Sequence, residues 1–91
     1  MPTRARVVIS GKVQGVYFRA FVRDQARTLG VNGYVRNMLD GRVEVVMEGE
    51  QEKVERLITL CRQGPPLSRV DKVDVMWEEF QGEFTTFMVR Y

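Results

Sequence analysis

Residues 4–19 read Arg4-Ala5-Arg6-Val7-Val8-Ile9-Ser10-Gly11-Lys12-Val13-Gln14-Gly15-Val16-Tyr17-Phe18-Arg19, and within them the hydrophobic period changes from that of a strand to that of a helix. Ala5, Val7 and Ile9 alternate with Arg6, Val8 and Ser10, the pattern of a half-buried strand. Gly11 to Val16 interrupts the alternation as a loop. From Phe18 the apolar residues Phe18, Val22, Ala26 and Leu29 recur at three- and four-residue spacing, and Gly30 supplies a C-terminal stop. A strand therefore runs through a glycine-bearing loop directly into a helix.

The rest of the chain completes the frame that this unit needs. Tyr34–Met38 and Arg42–Glu48 flank Leu39-Asp40-Gly41, where the Asp-Gly pair tolerates the positive φ of a tight hairpin, so these are the second and third strands. Val54, Leu57, Ile58 and Cys61 form the inward stripe of a second helix, with Glu50 and Glu52 at its start and Arg62 near its end, as the helix dipole favours. Gly64-Pro65-Pro66 ends that helix. A strand over Val70–Glu78 follows, with Val73, Val75 and Trp77 on one face. Gln81-Gly82-Glu83 then turns into a strand over Phe84–Tyr91, with Phe87 and Val89 inward. Trp77 and Phe87 are expected in the sheet core. The order βαββαβ plus a short C-terminal strand predicts an α+β domain, a ferredoxin-like split βαβ sandwich with an antiparallel sheet and both helices on one face. One domain is expected over residues 1–91.

Composition narrows the chemistry. With 44% apolar and 29% charged residues the chain sits near globular averages, and no run approaches the roughly 18 apolar residues of a membrane span. The N-terminus carries no apolar signal segment, which predicts a cytoplasmic protein without a membrane partner. Fourteen basic and twelve acidic residues leave a net charge of +2, too dispersed for a nucleic-acid footprint. The chain has no histidine, so the commonest general base and metal ligand is missing. Cys61 is the lone cysteine and has no neighbour at metal-ligand spacing; it reads as a core thiol. No metal and no cofactor is expected. A monomer is expected.

The loop at Gln14–Phe18 carries the strongest chemical signal in the pattern. A loop leading from a strand into a helix N-terminus cradles anions with its backbone N–H groups, and Gly15 permits a sharp turn. Arg19 falls in the first helical turn, the wrong end of the macrodipole for a cation, a conflict that a bound anion relieves. A guanidinium also grips two phosphoryl oxygens at once. An exposed arginine whose stem packs on the helix accounts for the same placement. Asn37 shares the parity of Val35, so it points toward the helices beside the hairpin, although an asparagine in that position commonly caps a turn. Arg23, Arg27, Lys53, Arg56 and Arg62 read as solvated charges, and Lys12 adds positive potential at the loop mouth.

Gly11-Lys12-Val13-Gln14-Gly15-Val16-Tyr17-Phe18-Arg19 resembles the G-x-V-Q-G-V-x-F-R segment of the acylphosphatase family, and Gly33-Tyr34-Val35-Arg36-Asn37 resembles its G-[WY]-V-x-N segment. The likeness extends through Asp40-Gly41, Glu48-Gly49, Gly64-Pro65-Pro66 and the closing Phe87-x-Val-Arg-Tyr. It implies a hydrolase that cleaves the carboxyl-phosphate bond of small-molecule acyl phosphates, with inorganic phosphate as product and inhibitor. It further implies that the amides of Gln14, Gly15, Val16, Tyr17 and Phe18 together with Arg19 hold the phosphoryl group, and that Asn37 orients the attacking water. Tyr34 stands where tryptophan is common, Tyr17 fills a variable position, and Met38 replaces a smaller residue. Two other readings of the fold remain at this point. RNA recognition needs exposed aromatics on the open sheet face, where strands one and three offer Arg6, Val8, Ser10, Arg42, Glu44 and Val46. A non-catalytic anion-binding or regulatory module needs only the loop.

Overall fold

The computed structural model describes all 91 residues. In chain order the elements are β1 (Pro2–Lys12), α1 (Phe18–Leu29), β2 (Asn32–Asn37), β3 (Val43–Glu50), α2 (Gln51–Gln63), β4 (Arg69–Glu78) and β5 (Phe87–Arg90). They form one sheet in the order β4-β1-β3-β2-β5.

Alternation in β1 works as expected, since Ala5, Val7 and Ile9 are fully buried against the helices. Phe18, Val22 and Ala26 of α1 and Val54, Leu57, Ile58 and Cys61 of α2 meet them in a single core. Gly30 ends α1 in the left-handed conformation at φ 76, and the Val31 N–H donates to the Ala26 carbonyl at 2.9 Å, closing a Schellman turn.

Two features of the sheet differ from expectation. The first four strands are antiparallel, but β5 pairs parallel to β2, so the sheet is mixed. Its cause is topological: β4 lies on one edge and β5 on the other, so residues 79–86 must cross the sheet and arrive running the same way as β2. β5 is accordingly short, and residues 84–86 belong to the crossing. The second difference concerns Trp77, which is 49% exposed rather than core, because it lies at the far end of an edge strand opposite Ala5. Phe87 is buried as expected.

The face away from the helices is also less open than its sequence implies. Glu44 and Glu48 are 1% and 2% exposed, each enclosed by hydrogen-bond donors. Glu44 accepts from Arg6, from Arg36 at 2.6 Å and from the Tyr34 hydroxyl at 3.1 Å. Glu48 accepts from Arg4 and from the backbone N–H groups of Gln81 and Glu83 at 2.8 and 3.0 Å. The crossing segment is thereby fastened to the sheet, helped by Asn32 donating to the Phe84 carbonyl. This anchoring holds the segment that leads into β5.

Candidate active site

The loop between β1 and α1 is held from below by its own apolar residues. Val13, Val16 and Phe18 are 1%, 4% and 1% exposed, so their side chains fill the core and lift the intervening backbone toward solvent. Gly15 and Tyr17 both take positive φ, 74 and 64, whereas Val16 between them does not. Alternation of this kind is the backbone form of anion-binding nests. Among the hydrogen bonds of turns, loops and caps, none is donated by the amides of Gly15, Val16 or Tyr17. Tyr17 is the one non-glycine residue in the left-handed region, a conformation costing about 1 kcal/mol or more that concentrates at functional sites. It also caps α1 without a side-chain hydrogen bond, and the first turn holds no acidic residue. The positive end of the helix is therefore left uncompensated within the chain.

Arg19 projects from that turn. It takes part in no salt bridge, and its guanidinium lies over the Tyr91 ring at 4.7 Å from the centroid. This cation–π contact leaves the N–H groups of the fork without a protein carboxylate.

Asn37 closes β2 opposite Val43 of β3. The capping role that its position favours is filled by others: the Asp40 carboxylate accepts from the Arg42 amide at 3.1 Å, and the Met38 amide donates to the Arg42 carbonyl at 2.8 Å. The Asn37 Oδ1 is buried without any hydrogen-bond partner. An unpaired buried acceptor is costly, on the order of 1–3 kcal/mol, and asks for an explanation. A cavity of about 370 Å³ supplies one, because Gly15, Tyr17, Phe18, Arg19 and Asn37 all line it.

Gln14 and Val16 do not line the cavity. Val16 is a core anchor, and the Gln14 amide donates to the Met38 and Arg42 carbonyls at 2.8 and 3.0 Å, tying the loop to the hairpin that carries Asn37. Sequence reasoning missed three participants. Tyr91 and Val89 reach the cavity because β5 is parallel to β2, and Arg23, read as solvated, lines the wall one helical turn beyond Arg19. Arg27 is likewise engaged, donating to the Phe87 carbonyl at 3.0 Å. Helical spacing from Arg19 was the available signal for Arg23, but without β5 in place it pointed to nothing.

The wall contains no side chain of histidine, aspartate, glutamate, cysteine or lysine. No group of three His, Cys, Asp or Glu residues stands close enough to hold a metal ion. No helix is long and apolar enough to cross a membrane. Cys61 lies in the core beneath α2, where burial pushes its thiol up to about 12.

The family model described as Acylphosphatase matches residues 5–89. The chain belongs to the acylphosphatase family. An acylphosphatase of Pelotomaculum thermopropionicum is 54% identical over 88 residues, covering 97% of this chain and 96% of the relative. Among solved structures, an acylphosphatase from Bacillus subtilis superposes with a TM-score of 0.94 at 32% identity, covering 100% of both chains. The full-length HypF protein, solved in a phosphate- and nucleotide-bound form, matches with a TM-score of 0.88 at 28% identity, but there the chain spans 12% of the larger protein. The matched fold thus occurs both as a whole chain and as a small part of a longer one.

Proposed function

We propose that the chain is an acyl phosphate hydrolase whose loop amides and Arg19 hold the phosphoryl group while Asn37 directs the attacking water. The observation that carries this reading is the partnerless Asn37 Oδ1 in the same cavity as the unpaired Arg19 guanidinium. Asn37 offers a fixed acceptor for a water O–H, and Arg19 with the amides of residues 15–18 offers donors to the equatorial oxygens. Gln14 acts through its side chain, setting the distance between the two halves.

The reaction balances as RCO–OPO3²⁻ + H2O → RCO2⁻ + H2PO4⁻. The water oxygen bonds to phosphorus, the bond from phosphorus to the acyl oxygen breaks, and the electron pair leaves with the carboxylate. A carboxylate departs without protonation, so no general acid is needed. The water proton passes to a phosphoryl oxygen, so no titrating side chain is needed either. What the protein contributes is position and preorganised charge, which suffice for phosphoryl transfer through a loose transition state. Metal-independent turnover belongs to this reading. So does a cytoplasmic setting.

Benzoyl phosphate hydrolysis by the purified chain, with and without a chelator, tests the proposal. Arg19→Ala is expected to abolish both turnover and competitive inhibition by inorganic phosphate, and Asn37→Ala to lower kcat by about 10²-fold with phosphate inhibition retained. Phosphate inhibition surviving in Arg19→Ala, or near-normal turnover in Asn37→Ala, refutes the assignment. Phosphate binding by a parent chain that turns nothing over would leave a non-catalytic anion module instead.

A further inference from the structure

Arg19, Arg23 and Arg27 stand four residues apart along one stripe of α1, a row of like charges that weakens a helix unless each cation is used. Two of the three are accounted for. Arg27 donates to the Phe87 carbonyl, anchoring β5, and Arg19 faces the loop. Arg23 lies between them in the cavity wall, and its side-chain partner is Asp24, the adjacent residue, at 3.0 Å. That pair is exposed, with the Asp24 side chain at 64% and the Arg23 side chain at 35%, so it holds Arg23 weakly and yields readily to a competing anion.

The side chains of the cavity wall include two guanidiniums and no carboxylate. We propose that Arg23 forms a second anion subsite, selecting acyl phosphates whose acyl group bears a further negative charge, a carboxylate or phosphate distal to the scissile bond. The inference rests on the phosphoryl site proposed above. Four residues of helix separate Arg23 from Arg19 by about 6 Å along the axis. An acid function a few bonds beyond the acyl carbon spans a comparable distance, so one substrate reaches both cations. A neutral acyl group has no use for Arg23 and meets instead the apolar part of the wall, Ala20 and Val89.

The test compares succinyl phosphate with butyryl phosphate, which match in length and differ in the terminal carboxylate. The parent chain is expected to favour succinyl phosphate in kcat/KM by about tenfold, the scale of one charge-assisted pair at a partly exposed site. Arg23→Met keeps the apolar stem and is expected to bring the ratio near one, while Arg23→Lys retains part of it. Raising the salt concentration compresses the parent's ratio and leaves that of Arg23→Met in place. A parent without preference overturns the subsite, as does an Arg23→Met variant that keeps the preference or loses both substrates equally. Failure of the parent to hydrolyse either substrate sinks the phosphoryl site itself, whereas equal and efficient hydrolysis of both sinks only Arg23.

Discussion

Replacing Gln14 with alanine removes the link between the anion loop and the Asn37 hairpin, and the structure allows its cost to be worked out. The Gln14 amide nitrogen donates to the carbonyls of Met38 and Arg42 at 2.8 and 3.0 Å. Both partners are acceptors, so the orientation of the amide is dictated by chemistry. Neither carbonyl becomes an orphan on substitution, because Met38 O still accepts from the Gly41 amide at 3.2 Å and Arg42 O from the Met38 amide at 2.8 Å. The loss is therefore the net value of two neutral hydrogen bonds, about 1–2 kcal/mol, without a further desolvation penalty. For a domain of this size that lowers Tm by roughly 4–16 °C.

Activity should suffer more than stability. In the proposed arrangement phosphate binding needs the loop and Arg19 alone, whereas turnover also needs Asn37 in register with the loop. A misplacement of about 1 Å between reacting groups costs up to roughly 10²-fold. Gln14→Ala is thus expected to lower kcat on benzoyl phosphate by 10- to 100-fold, in the range that misplacement implies, with a smaller change in the inhibition constant for phosphate. Gln14→Glu keeps the shape but sets a carboxylate against two carbonyl oxygens, so it should be worse than alanine in both urea stability and kcat. The reasoning is refuted if Gln14→Glu is as stable and active as Gln14→Ala, or if Gln14→Ala loses stability with kcat within about twofold of the parent, since the staple would then serve the fold and not the site.

Acid is expected to loosen the back of the sheet first. Burial pushes the Glu44 carboxyl up, but the hydrogen bonds of Arg36, Arg6 and Tyr34 outweigh it and hold it below its ordinary 4.5; for Glu48 the Gln81 and Glu83 amides and Arg4 do the same. Depressed folded values mean that this stabilisation is complete above pH 4.5 and is lost as pH falls through them, so the urea midpoint should stay level from neutrality and then decline, less steeply in Glu48→Gln. A decline in Glu44→Gln and Glu48→Gln as steep as the parent's would rule these groups out. Cys61, with its thiol raised to about 12 by burial, should resist alkylation at pH 8 at a rate set by unfolding, and stoichiometric labelling of the folded, active protein would contradict this.

How much of this was legible in the sequence depended on whether the signal was local. The loop, the α1 stripe and the Asp-Gly hairpin are written within a few residues, and each element appears where its pattern places it. Asn37 was half legible: parity gave its side of the sheet, while its freedom from a capping role needed the neighbouring Asp40 and Met38 contacts. The parallel pairing of β5 was not legible, because it follows from where a crossing segment lands, which no periodicity in residues 84–91 encodes. Tyr91 was hidden for the same reason, and the helical spacing of Arg23 from Arg19 gained meaning only with β5 in place. Glu44 and Glu48 alternate like ordinary solvent-facing residues of β3, and only the arginines converging from β1 and β2 and the amides of residues 81 and 83 reveal them as buried.

These hidden carboxylates bear on the site from the opposite face of the sheet. The proposed anion site gathers groups held at a cost: a left-handed Tyr17, a cation in the first turn of α1, and an Asn37 acceptor with no partner. Such features persist only where the surroundings over-determine them. Core residues clamp the loop from one side, and Glu48 clamps the crossing that delivers Val89 and Tyr91 from the other. Tyr91 is itself 102% exposed, so little packing holds it except its place at the end of β5 and its contact with Arg19. The placement of Val89 and Tyr91 beside Arg19 therefore leans on a carboxylate of β3, which holds the Gln81 and Glu83 amides of the crossing that leads into β5.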